Sequence, residues 1–261
     1  MKNPAYQSKK WNQVIAHLLE GEKIMGMGYQ HEISELTEEC AESSDYFRLC
    51  VCLANTYDLW ALEYLAKGNQ EKVIQTTCMA VKSFFYAYRM KKAEIPTKQI
   101  YTNIFFRMED YICKAITTGC FDEFSDCYED TIMGSLYLGE KEKAKKLVEQ
   151  LPEIDEKRPE VYYIKPQFLK GIYNALLNQN DELLKEELVK RVKKYRKNMT
   201  SYATVIDFTT IGLLKTAKRY GMNVELNIAE TPAFLKEDID MEHFSALKIP
   251  FQDEMEKILK K

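Results

Sequence analysis

Glycine and proline are both scarce in this 261-residue chain, at 10 and 7 residues. That scarcity leaves few tight turns and argues for long helices. Histidine is rarer still, limited to His17, His31 and His243. The segment YQHEISE opens like a zinc-protease helix but lacks the second histidine four residues on. Neither a G-x-S-x-G elbow nor a phosphate-binding glycine loop occurs. GMG at 26–28 is followed by YQHEISEL, without the lysine or preceding strand that a phosphate cradle needs. No catalytic residue, cofactor or metal site is therefore assigned, and a non-enzyme is expected. A cysteine–histidine pair stays open, since proximity in a fold is not visible in a sequence.

Long apolar runs are missing too. The greasiest window, 49–62, contains Asn55 and Asp58, so no membrane span is expected. The segment MKNPAYQSKKWNQVIAHLLEG has no uninterrupted apolar stretch of the signal-peptide kind, and a cytoplasmic location is expected. A net charge of −3 and a pI near 5.8 disfavour nucleic-acid binding by bulk attraction.

The seven cysteines (40, 50, 52, 78, 113, 120 and 127) are odd in number and form no disulfide framework. Cys50 and Cys52 make a lone C-x-C without a second pair. Cys113, Cys120 and Cys127 fall seven apart, but Gly119 interrupts that helix. Most sit on apolar stripes, where a free thiol fills space as a small hydrophobe.

What the chain has in quantity is helical patterning. A length of 261 residues buries roughly 70–75% of the unfolded surface, so the core needs no staples. Val73, Thr77, Val81, Phe84, Phe85 and Tyr88 form the clearest stripe. Ile100, Ile104, Phe105, Met108, Tyr111, Ile112 and Ala115 form another, with Thr97 as N-cap. A third passes through Phe121, Phe124, Tyr128, Ile132, Ser135 and Leu136. A fourth uses Ala144, Leu147, Val148 and Leu151, ended by Pro152. Beyond the connector IDEKRPE come a helix after Pro166, the amphipathic DELLKEELVKRVKKYRK, and the apolar SYATVIDFTTIGLLKTAKRY. The only strand-like alternation, Val224, Leu226 and Ile228, is too short to build a sheet.

Four corners punctuate these helices: LAKGNQEKV (65–73), ITTGCFDEF (116–124), LYLGEKEKA (136–144) and LLNQNDELL (176–184). Each pairs Gly or Asn, which accept the left-handed backbone that closes a helix, with acidic residues suited to the next helix start. Gly139, Asn180 and Gly221 are spaced 41 residues apart, the period of a two-helix repeat, whereas Gly68 and Gly119 break that period. The expected fold is all-α, an array of antiparallel helical hairpins of the tetratricopeptide-like or irregular α-solenoid kind. One domain is expected over 1–261: N-terminal helices to 45, the hairpin array over 46–220, then an extended segment and short helices over 221–261.

Charge is segregated. In FDEFSDCYED, the residues Asp122, Asp126, Glu129 and Asp130 are expected on one helical face, opposite Phe121, Phe124 and Tyr128. Glu32, Glu35, Glu38, Glu39 and Glu42 form a second acidic run and KEDIDME a third, while KRVKKYRK (190–197) is basic. Such runs are ordinarily solvated faces that also suit helix dipoles. As docking faces, the acidic ones would attract a basic partner. The 17 tyrosines suit an interface, with a partner or with a second copy of the chain.

TVIDFTTIGLLKTAKRYGMNVELNIAETPAFL (204–235) is a buried helix closed by AKRYG, an extended apolar piece and a proline-led turn ending in leucine. With YLAKGNQEKV, the aromatic helix after it and KAITTGCFDEF, it resembles the immunity-protein-49 family of bacterial polymorphic toxin systems over about residues 50–238. The resemblance rests on layout, and residues before 45 and after 240 match nothing in it. It implies a cytoplasmic all-helical protein that binds and neutralises a cognate toxin domain, with no catalytic residue to carry over. The leading expectation is thus a protein-binding protein, with Asp122, Asp126, Glu129 and Asp130 as its docking surface. The alternative is a tetratricopeptide-like scaffold or regulator that holds a peptide in a helical groove. A cleft bringing a histidine to a cysteine and a carboxylate would favour an enzyme instead.

Overall fold

The computed structural model describes residues 33–39, 41, 45–95, 107–153, 166–197, 206–228, 230–239 and 246–260. Expectations for His17, His31, His243, the GMG segment, Glu32, Cys40, Glu42, Thr97, Ile100, Ile104, Phe105 and the IDEKRPE connector lie outside these. Among the described residues the regular structure is helical throughout and no strand occurs, so the chain is all-α. Residues 222–228 run without regular structure, with Leu226 buried.

The described residues fall into two compact units: 33–95 with 246–260, and 107–239. In the first, α1 (Tyr46–Ala66) and α2 (Gln70–Lys92) form a long hairpin. Both are buried over most of their circumference, as their continuous apolar content requires. Val73, Thr77, Val81, Phe84 and Phe85 are fully enclosed, and Phe84 meets Phe85 edge-on at 5.1 Å. Helix α10 (Gln252–Leu259) packs on α2.

In the second unit, α3 (Met108–Thr118) leads into a 3-10 segment (Phe121–Cys127) and α4 (Ile132–Tyr137). Next come α5 (Lys141–Glu149), α6 (Lys170–Leu177) and α7 (Asp181–Lys197), then α8 (Phe208–Arg219) and the single turn α9 (Ala233–Lys236). Helices α4 to α7 pack each on the next, whereas α8 lies chiefly against α3. The stripe expected as one helix through 121–136 is two elements. Phe124, at φ −127 and ψ 24, is not helical, and Thr131 starts α4 afresh by accepting the Gly134 N–H at 3.1 Å.

The corners close as their glycines suggest. Gly68, Gly119, Gly139 and Gly221 all have positive φ. At Gly68 the chain closes α1 with two bonds, Gly68 N–H to Leu65 O and Asn69 N–H to Tyr64 O. Asn69 then caps α2 by accepting the Lys72 N–H. At 176–184 the roles differ from expectation. Gln179, not Asn180, takes the left-handed position, at φ 50. Asn180 occupies the place of Asn69 and caps α7 by accepting the Leu183 N–H at 3.0 Å. A short amide side chain is worth about 1 kcal/mol as an N-cap, which offsets part of the roughly 1–2 kcal/mol that a left-handed glutamine costs.

Three of these corners meet. The Gln179 side chain donates to Tyr220 O at 3.1 Å, Asp181 accepts the Asn223 N–H at 3.0 Å, and the Tyr220 hydroxyl donates to Leu136 O. Lys141 lies 4.7 Å from the centre of the Tyr220 ring, and Arg219 lies 4.3 Å from that of Tyr137.

Candidate functional site

The acidic segment is built on a three-residue period. Phe121, Phe124 and Cys127 recur every third residue, which is one turn of a 3-10 helix, and all three are buried. Phe121 stacks on Tyr128 at 4.2 Å and tilts against Tyr137 at 4.6 Å. Asp122 and Asp126 lie on the 3-10 segment, while Glu129 and Asp130 lie in the turn before α4. All four are exposed and all their apolar neighbours are buried. The segregation of acid from apolar side chains is therefore real, but it is not a stripe on an α-helix. Phe124, off helical geometry, separates Asp122 from Asp126, so the two do not share a regular helical face.

Leu138 follows in the corner that ends α4, and its 45% exposure makes it the one exposed large hydrophobic residue among those described. Its chain neighbour Tyr137 is half-buried between Phe121 and Arg219. Periodicity did not single out Leu138, because it sits in a corner rather than on a stripe.

The segment is held from beneath by Glu109. This α3 side chain is buried, and its two oxygens accept the N–H groups of Ile132 at 3.3 Å and Met133 at 3.1 Å. It thus binds the free donors that open α4. Burial pushes its carboxyl from 4.5 up to about 7, against the two backbone N–H groups, which pull it down. The folded chain therefore keeps a proton at Glu109 that the unfolded chain releases. The corresponding stability is fully present below about pH 4.5 and is lost as pH rises through about 7, by up to about 3 kcal/mol. Glu109→Gln should remove that contribution to the pH slope. Denaturant midpoints at pH 5, 6, 7 and 8 check it, and identical slopes in variant and parent would contradict it.

Further charges are buried in the same unit. Burial raises the Asp110 carboxyl, but Lys114 at 3.1 Å and Arg107 at 3.4 Å outweigh it and hold the group below its ordinary value. Arg191 on α7 pairs with Asp207 at 2.8 Å, and both are almost wholly enclosed. Burial, reinforced by Glu109 and Asp110, pushes the Cys113 thiol well up, so it stays protonated and is a poor nucleophile. These groups neutralise one another and join helices. Asp207 accepts the Thr210 N–H to cap α8, and Thr209 donates to Asp110 on α3 at 3.4 Å.

The other charged runs are partly absorbed into the fold. Within the basic run, Lys190 pairs with Glu186 and Glu187, Arg191 is buried, and Lys193 and Lys194 are exposed. The side chains of residues 195–197 lie outside the description. Glu39 pairs with Arg48, and Asp238 with Lys218. The described cysteines are free, and all but the half-buried Cys52 are enclosed, as expected of core fillers. Among the described residues no three His, Cys, Asp or Glu side chains converge as metal ligands, and no helix is long and apolar enough to cross a membrane.

No protein-family model, curated protein or solved structure matches this chain.

Proposed function

We propose that this chain is a non-catalytic binding protein, an immunity protein that neutralises a cognate toxin domain in the cytoplasm by occupying its surface. One observation carries the reading. Four exposed carboxylates, Asp122, Asp126, Glu129 and Asp130, are borne on a segment pinned by buried aromatic rings, and the exposed Leu138 follows in the same unit. A rigid apolar point with a charged rim is the anatomy of tight inhibitory interfaces. The carboxylates select a basic toxin surface, such as that of a nuclease. No cofactor enters this reading, and the resemblance in layout to the immunity-protein-49 family agrees with it.

The test is co-expression with the toxin domain encoded beside its gene. Protected growth and co-purification are expected; failure of both would remove the proposal. The double variant D122K/D126K should slow association by about tenfold or more at low ionic strength and less at high salt. Stability should move by no more than about 1 kcal/mol, because both positions are exposed, even with the Cys127 thiol bond to Asp126 at 3.6 Å lost. Full protection by that variant would mean that docking uses another face.

A tetratricopeptide-like scaffold that holds a peptide is the second reading. The meeting of the corners at Gly139, Gln179 and Gly221 favours it, because successive corners pack on one another at nearly constant sequence spacing. The close packing of α8 on α3 departs from an open superhelix.

A further inference from the structure

In the unit of α1 and α2, two residues one turn apart on each helix receive the segment 246–260. On α1 they are Tyr46 and Cys50, and on α2 Lys82 and Tyr86. Positions four apart lie on one helical face, so the two pairs make a four-point seat. Phe251 packs against Tyr46 with ring centres 5.4 Å apart. Met255 Sδ lies 3.3 Å from Cys50 Sγ. The buried Lys82 donates to Leu247 O at 2.7 Å, and the Tyr86 hydroxyl donates to Glu256 at 2.6 Å. Phe251 and Met255 are themselves four apart, matching the spacing of Tyr46 and Cys50. This is the pattern by which an amphipathic helix is read in a groove.

The occupant is held by few anchors. Only Ile249 and Met255 of the segment are fully buried. Its helix has eight residues, too short to be stable alone. Phe251 opens it at φ 58, a left-handed backbone that a bulky residue adopts only at a cost. The hairpin beneath, by contrast, has a continuous enclosed core. Elements with few buried side chains open at lower free energy than the body they rest on.

We propose that α1 and α2 form a helix-binding seat that this chain fills with its own residues 246–260, so that the segment is an internal competitor for an external amphipathic helix. The external helix carries two apolar anchors four residues apart with a carboxylate directly after the second, as in Phe251, Met255 and Glu256. Such self-occupancy lowers the apparent affinity for the external helix by the fraction of time the seat is open.

The experiment uses full-length protein and a fluorescent synthetic peptide of residues 246–260, followed by anisotropy. Met255→Asp places a charge where the fully enclosed thioether sits and releases the internal segment. The variant should bind the peptide at least about tenfold more tightly than the parent, and a peptide carrying the same substitution should not bind. Should that variant not fold, Glu256→Gln, which weakens the bond from Tyr86 and that from Gln252 within the segment, should show a gain of about two- to threefold. Hydrogen exchange of the parent should show amides of 252–259 opening ahead of those of α2. Equal peptide binding by parent and folded variant would overturn the proposal, as would a parent segment that exchanges as slowly as α2. A released variant that forms a dimer and ignores the peptide would also overturn it, assigning the seat to a second copy.

Discussion

Asp207→Ala is expected to destabilise the chain by about 3–5 kcal/mol, enough to unfold a domain of ordinary stability. The residue does two jobs with one carboxylate. Its Oδ1 accepts the Thr210 N–H at 3.0 Å, capping α8, and receives the Arg191 guanidinium at 2.8 Å; its Oδ2 accepts the Thr210 hydroxyl at 2.7 Å. Losing the cap alone costs about 1 kcal/mol. Most of the effect comes from Arg191, which is enclosed on α7 and would keep its charge without the carboxylate beside it. Asp207→Asn separates the two jobs, since the amide oxygen still caps the helix while the charge is gone. Adding Arg191→Met to Asp207→Asn removes both buried charges and should restore most of the stability. Denaturant unfolding of the three variants checks this, with the order Asp207→Ala least stable, Asp207→Asn intermediate and the double variant nearest the parent. A double variant no better than Asp207→Asn would show that the guanidinium deprived of Asp207 is not the source of the loss.

The helices were legible because their apolar stripes are long and repeat at 3.6 residues, and the corners because glycine marks where the chain must turn left-handed. Short-range ambiguity explains two departures. Spacings of three and four fit both a 3-10 turn and an α-helix, so Phe121, Phe124 and Tyr128 could not choose between them. Asn180 suits both a helix close and an N-cap, and the neighbouring Gln179 gave no sign of taking the left-handed position. The distant hydrogen-bond partners of the buried acids were hidden for another reason: Glu109 meets α4 across 23 residues and Asp110 meets Thr209 across 99. A local signal did exist for Glu109, which shares its helical face with Ile112, Cys113 and Ile116, an acid placed on an apolar stripe. Asp207 likewise precedes an apolar run in the position of an N-cap. Of the proposed docking surface, the acidic composition was readable; the exposure of Leu138 needed the fold.

Gly212→Ala is expected to cost about 2 kcal/mol or more, although alanine is the better helix former by about 1 kcal/mol. A Cβ at this α8 position would stand 2.7 Å from Cys113 Cβ and 2.8 Å from Cys113 Cα on α3. Both atoms belong to the α3 backbone or are fixed to it, so no rotamer change relieves the clash and the helices must separate. Separation would loosen the packing around Tyr111, Ile112 and Ile211, all fully enclosed. Gly171 provides the contrast. Its added Cβ would meet only the Glu187 side chain, with the carboxylate oxygen at 2.6 Å, and that chain can swing away. Gly171→Ala should therefore be neutral or stabilising by up to about 1 kcal/mol, from helix propensity alone. Combining Gly212→Ala with Cys113→Gly moves the Cβ from one helix to the other. The pair should be less destabilising than the sum of the two single changes, by an interaction of about 1 kcal/mol or more. Thermal and denaturant unfolding of all four proteins measure this. A Gly212→Ala protein as stable as Gly171→Ala would mean that α3 and α8 do not approach as closely as the backbone places them. A strictly additive pair would place the strain elsewhere than at the Cys113 side chain, leaving the 2.8 Å approach to its Cα.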